Sequence, residues 1–151
     1  MERIKNKIAV FLEALATLHE GISLFDKYED IFSRKATLEN EQLFKAMRDS
    51  AIQRFEYCAD LFWKIVKIYL EDIEKIHLSI NSPRAILREA VIARLLSELE
   101  GDECIDMVEA RNKTSHTYQE VMAEEIVHEV PQYYELMKII TERVQGNIEK
   151  K

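Results

Sequence analysis

Glycine and proline are nearly missing, at 3 and 2 in 151 residues. So few turn formers exclude a chain of many short strands. With 47% hydrophobic and 32% charged residues in Glu-, Lys-, Leu-, Ile- and Ala-rich runs, the composition is that of long helices. Cysteine is equally sparse. Cys58 and Cys104 stand alone, in no C-x-x-C or other ligand spacing, so both read as buried thiols of a reducing compartment rather than a disulfide framework. Positive charge is also in deficit. A net charge of -7 opposes diffuse binding to nucleic acid and confines any such role to a small local site. No segment approaches 18 uncharged apolar residues, and MERIKNKIAV interleaves its apolar residues with charges. A cytoplasmic protein with no membrane partner is therefore the expectation. His19, His77 and His128 share no ligand spacing, so no metal and no cofactor is expected.

What is present is helical periodicity. Ile4, Ile8, Phe11, Leu15, Leu18, Ile22 and Phe25 recur at steps of 4 and 3, which predicts a helix from about Glu2 to Lys27. SRKATLENEQ breaks that period, with Thr37 or Asn40 available as an N-cap. A second helix is expected from about Leu38 to Ile76, with Met47, Ala51, Phe55, Cys58, Phe62, Ile65, Tyr69, Ile73 and Ile76 on its stripe. Between Ala59 and Leu70 apolar residues go almost all the way round, so this stretch is either central or also meets a second subunit. Ser82 and Pro83 suit the start of a third helix that ends before Gly101. Asp102 is placed to cap a fourth, and Thr117 with Glu120 forms a T-x-x-E box that opens a fifth. The fifth carries Ala123, Ile126, Val130, Tyr133, Met137, Ile140 and Val144, and Pro131 is expected to kink or split it. The expected fold is all-α: an antiparallel up-and-down four-helix bundle with one additional short helix, a single domain over residues 1–151.

One stretch exceeds what a bundle needs. RNKTSHTY, Arg111 to Tyr118, gathers an Arg, an Asn, a Lys, a His and a Tyr at the junction of helices four and five. On one continuous helix Arg111 and His116 stand about 140° apart around the axis and diverge. They converge only if the helix ends between them or if a twofold dimer brings Arg111 of one chain toward His116 of the other. A fixed cation, a group titrating near neutrality and the Asn112 amide around one pocket suit a phosphodiester. The bland alternative is that Arg, Lys and His complement a helix C-terminus and that Thr117 only caps. Trp63, Phe62, Phe55 and Tyr69 read as packing rather than a stacking platform. Glu124 and Glu125, adjacent and so divergent on a helix, read as a solvated face rather than a metal site.

RNKTSHTY fits the R-x4-H-x-Y pattern, and the chain resembles the HEPN family, in particular its nucleotidyltransferase substrate-binding subfamily. RFEYCADLFWKIVKIYL resembles the long second helix of that group, and SPRAILREA the segment before the motif. The resemblance implies a cytoplasmic homodimer paired with a separate MNT-type nucleotidyltransferase, as in toxin–antitoxin systems. It implies a composite site for an RNA or nucleotide phosphate, with Arg111, His116 and Asn112 as catalytic residues if the protein is an enzyme, namely a metal-independent endoribonuclease. Arg111, Lys113 and Tyr118 would then contact substrate, and Tyr118 is the position matching a tyrosine that accepts AMP. The subfamily name implies the alternative of a non-catalytic substrate-binding subunit. The chain has no P-loop, GxGxxG, HExxH or GSxxxGS-type signature, so any nucleotidyl transfer belongs to another polypeptide. Arg84, Arg88 and Lys113 are the residues expected to supply positive potential against the acidic total.

Overall fold

A computed structural model of the chain describes residues 1–116 and 120–151, with the side chains of Ser115 and His116 outside that description. It contains α1 (Glu2–Arg34), α2 (Leu38–Ile68), α3 (Pro83–Ile92), α4 (Glu98–His116) and α5 (Glu120–Glu149). No strand occurs among the described residues. α1, α2, α4 and α5 run alternately up and down, and α3 is the short addition. Arg48 on α2 and Tyr69 just past its end meet Glu120 and Asn147 on α5, which makes those two parallel. Glu100 near the start of α4 meets Arg143 near the end of α5, which makes those antiparallel. α2 packs against all four other helices and is the central element.

The apolar stripes are the cause of this arrangement. Ile4, Ile8, Phe11, Leu15, Leu18 and Phe25 are all buried, each contributing about 1.5–3 kcal/mol on removal from water. By composition α1 could also span a membrane, since an 18-residue window reaches a mean hydropathy of 1.5. Here its stripe faces α2 and α5. The helix runs seven residues past the expected Lys27, because the same stripe continues to Phe32, whose ring stacks on Phe44 of α2. The Thr37 hydroxyl then accepts from the backbone N–H of Asn40 at 3.1 Å and starts α2.

Three local expectations are corrected. α2 does not run on to Ile76: it widens into a π-helical turn over Tyr69–Ile73, where the Tyr69 hydroxyl donates to Glu74 and accepts from Asn147. Lys75 then turns the chain in the left-handed region at φ 58. Ser97 rather than Asp102 caps α4, in a reciprocal box in which the Ser97 hydroxyl accepts from the Glu100 N–H and Glu100 accepts from the Ser97 N–H. Gly101 is therefore inside α4 and not a boundary. A Cβ there would overlap Cγ2 of Val91, so the glycine permits α3 and α4 to approach closely. α5 is one continuous helix across Pro131, so of the two outcomes expected there the split does not occur. Ser82 caps α3 as expected, accepting from the Ala85 N–H at 3.3 Å.

Candidate functional site

α4 continues through His116, so the helix does not end between Arg111 and His116. The Arg111 guanidinium, 22% exposed, is turned onto α2. Its Nε and Nη2 donate side-on to the two oxygens of Asp60 at 3.0 and 3.1 Å, and its Nη1 donates to Glu56 at 2.9 Å. The Asp60 hydrogen bonds raise its pKa and outweigh the opposing effect of burial, so it is a permanent cation. Thr114, one turn on, donates back to the Arg111 carbonyl at 2.6 Å. Asn112 and Lys113 are exposed on the neighbouring positions. The His116 side chain and Tyr118 lie outside the described residues, as does the expected box between Thr117 and Glu120.

Beside Arg111 lies a cleft of about 420 Å³ between α2 and the start of α5. Ile52, Met122, Ala123 and Ile126 supply its apolar wall, and Ser50, Gln53, Glu56 and Thr114 its polar groups. Asp49, at the same wall, also holds Arg48, a residue that the apolar pattern of α2 does not single out. Arg48 is 1% exposed and donates to Asp49, Glu120 and Glu124, tying α2 to the first turns of α5. The adjacent Glu124 and Glu125 diverge as expected: one turns to Arg48 and the other to a groove between α4 and α5. That groove is acidic, with Asp106, Glu109, Glu125 and Glu129 around Lys113. Arg84 does not lend the expected positive potential there, because Glu109 neutralises it. Among the described residues no cluster of His, Cys, Asp and Glu could hold a metal ion.

Several other residues singled out in the sequence make packing or surface contacts. Phe55 stacks on Tyr133 and Phe62 packs on Phe11 in the core. Trp63 is half-buried against it. The His19 ring lies against Tyr134, and His128 bridges the Glu124 carbonyl and Glu29 of α1. Cys58 and Cys104 are free and buried, and burial pushes both thiols up to about 12. The site residues that sequence reasoning missed are Glu56 and Asp60. Their one signal was two carboxylates four apart, on one face of a helix and leading into its most apolar stretch.

Residues 6–146 match the family described as nucleotidyltransferase substrate binding protein like. No curated protein matches the chain. Among solved structures, one from Thermus thermophilus is 33% identical, with a TM-score of 0.70 over 89% of this chain and 98% of that one. A tri-AMPylated Shewanella oneidensis HEPN toxin, solved in complex with MNT antitoxin, is 18% identical with a TM-score of 0.65, covering 91% of this chain and 97% of that one. A mutant MntA-HpeT toxin-antitoxin gives 17% identity and a TM-score of 0.65, over 91% and 98%. The last two establish likeness of fold.

Proposed function

Because the chain belongs to the family described as nucleotidyltransferase substrate binding protein like, we propose that it is the HEPN-type homodimeric partner of a separate minimal nucleotidyltransferase. It binds a nucleotide or RNA phosphate through Arg111, with Lys113 and Tyr118 as further contacts, and it works as one component of a toxin–antitoxin pair. The observation that carries this reading is the placing of Arg111: a permanent cation, braced from α2 at the edge of a cleft and little more than one turn before His116. In the dimer, His116 of one chain faces Arg111 of the other. If RNA is cut, His116 transfers the proton, Arg111 stabilises the pentacoordinate phosphate and Asn112 orients either group. That chemistry needs no metal.

The second reading is a non-catalytic subunit, and the surroundings favour it. Asp49, Glu56, Asp106, Glu109, Glu125 and Glu129 line the cleft and the groove near the motif, a field that repels a polyanion more than a mononucleotide. Under this reading Tyr118 accepts AMP from the partner enzyme, as the AMPylation of the Shewanella toxin suggests.

RNA incubated in EDTA with wild type or His116→Ala separates the two. Ends bearing 2′,3′-cyclic phosphate from the wild type alone support the nuclease, and identical products from both proteins end it. With the nucleotidyltransferase and labelled ATP, transfer to the wild type but not to Tyr118→Phe supports modification, and equal labelling excludes that tyrosine. A monomer at all concentrations by light scattering removes the composite site.

A further inference from the structure

A guanidinium has five N–H donors, and Arg111 has three of them engaged by two carboxylates of α2. The two partners differ. Asp60 holds a donor with each oxygen, the fork geometry that fixes the plane of an arginine. Glu56 holds one donor through one oxygen and is also part of the cleft wall, beside Thr114 of the motif. Glu56 is thus the one cleft-lining residue, among the described residues, that grips the Arg111 guanidinium, since Thr114 bonds only the Arg111 carbonyl. With both carboxylates in place a single positive charge faces two negative ones. An incoming phosphate gains little until one of them moves.

We propose that Glu56 is a built-in competitor for the anion, displaced when a phosphate engages Arg111, and that Asp60 is the positioning residue that keeps the guanidinium in place throughout. This rests on the reading of Arg111 as the phosphate-binding group. Its distinctive consequence is opposite signs for two carboxylates that touch the same side chain. Glu56→Gln keeps the length of the side chain and a carbonyl acceptor but removes the competing charge. Asp60→Asn keeps the shape but loses one of the two acceptor oxygens.

The test is a titration of the full chain with a labelled single-stranded RNA oligonucleotide, followed by anisotropy, and with AMP, followed by calorimetry. Wild type, E56Q, D60N and R111A are compared after far-UV circular dichroism has shown equal helix content. Glu56→Gln is expected to tighten binding by roughly threefold to tenfold, and Asp60→Asn to weaken it by a similar factor. The gain should shrink as salt rises. Tightening toward both probes supports competition for phosphate in general. Tightening toward AMP alone or RNA alone supports it and names the source. Unchanged or weaker binding by Glu56→Gln overturns the competitor, even if Arg111→Ala abolishes binding and so preserves the phosphate reading. Wild-type affinity in Arg111→Ala overturns the phosphate reading itself. Binding of neither probe by wild type or Glu56→Gln overturns both.

Discussion

Two arginines are each held by a carboxylate that lines the same cleft, Arg48 by Asp49 and Arg111 by Glu56, yet they differ in what surrounds them. Arg48 is 1% exposed, and its partners Asp49, Glu120 and Glu124 are 39%, 60% and 40% exposed. The cation is inside and the anions face water. Arg111 is less deeply placed: it keeps 22% of its side chain exposed, against 27% for Glu56 and 46% for Asp60, and two of its five donors are uncommitted to either carboxylate. A buried arginine with solvated partners is a tether, because its stem packs as a hydrophobe while its head joins two helices. An arginine braced at a rim can act on something that arrives.

Removing the two side chains should therefore give opposite profiles. Arg48→Ala should cost about 2–4 kcal/mol in the urea midpoint, mostly through lost packing and the cavity left, since the orphaned carboxylates can hydrate. Arg48→Met, which retains the stem, should recover about half of that loss. A loss below about 1 kcal/mol in Arg48→Ala would put that residue with Arg111.

A third clasped arginine supplies the next largest effect. Arg143 donates to both oxygens of Glu100 at 2.8 and 2.9 Å, and this pairing holds the Glu100 carboxyl near a pKa of about 2, below its ordinary 4.5. A group depressed in the folded state stabilises fully above its unfolded value. That contribution should fade as pH falls from about 4.5 through about 2, and is on the order of 2 kcal/mol after allowance for solvent screening. Glu100→Gln should flatten acid unfolding over that window; an unchanged acid limb would remove Glu100 from the tethering set.

Arg111→Ala comes next for stability, at about 1 kcal/mol, because its partners, 27% and 46% exposed, can be solvated when it is gone. A loss as large as that of Arg48→Ala would erase the contrast between tether and rim.

The smallest effect belongs to His128, whose Nδ1 lies 2.6 Å from the Glu124 carbonyl and whose Nε2 lies 3.0 Å from the Glu29 carboxylate. Both neighbours accept, and only the protonated ring donates from both nitrogens. The bond to the Glu124 carbonyl, with Glu29 adding to it, raises the His128 pKa above 6.5. Its contribution is complete below 6.5 and is lost as pH rises through the raised value, a few tenths of a kcal/mol for so exposed a pair. His128→Gln should remove that slope from thermal melts taken between pH 6 and 8.

Helices and their faces were legible in the chain because burial follows a period of 3.6 residues whatever the neighbours are. Every stripe residue expected on α5, from Ala123 to Val144, is buried. Thr37 and Ser82 were legible as caps because a cap joins residues three apart. Ser97 with Glu100 carried the same local signal, but Gly101 looked like a terminator until the approach of Val91 supplied another reason for a glycine. Arg48 is buried although the stripe of α2 passes through its neighbour Met47. Besides the adjacent Asp49, it is α5, 72 and 76 positions away, that supplies the carboxylates that let a charge occupy that spot.

The sequence by itself determined the helices, their apolar faces and the presence of an arginine and a histidine five apart in a polar octet. These are consequences of spacing, which reaches about one turn along the chain. The tertiary structure decided what Arg111 touches, that α4 runs unbroken to His116, and that Asp60 and Glu56 lie against Arg111. Ion pairs form between groups that packing brings within about 3 Å, and residues 51 and 55 positions apart carry no local sign that they will meet.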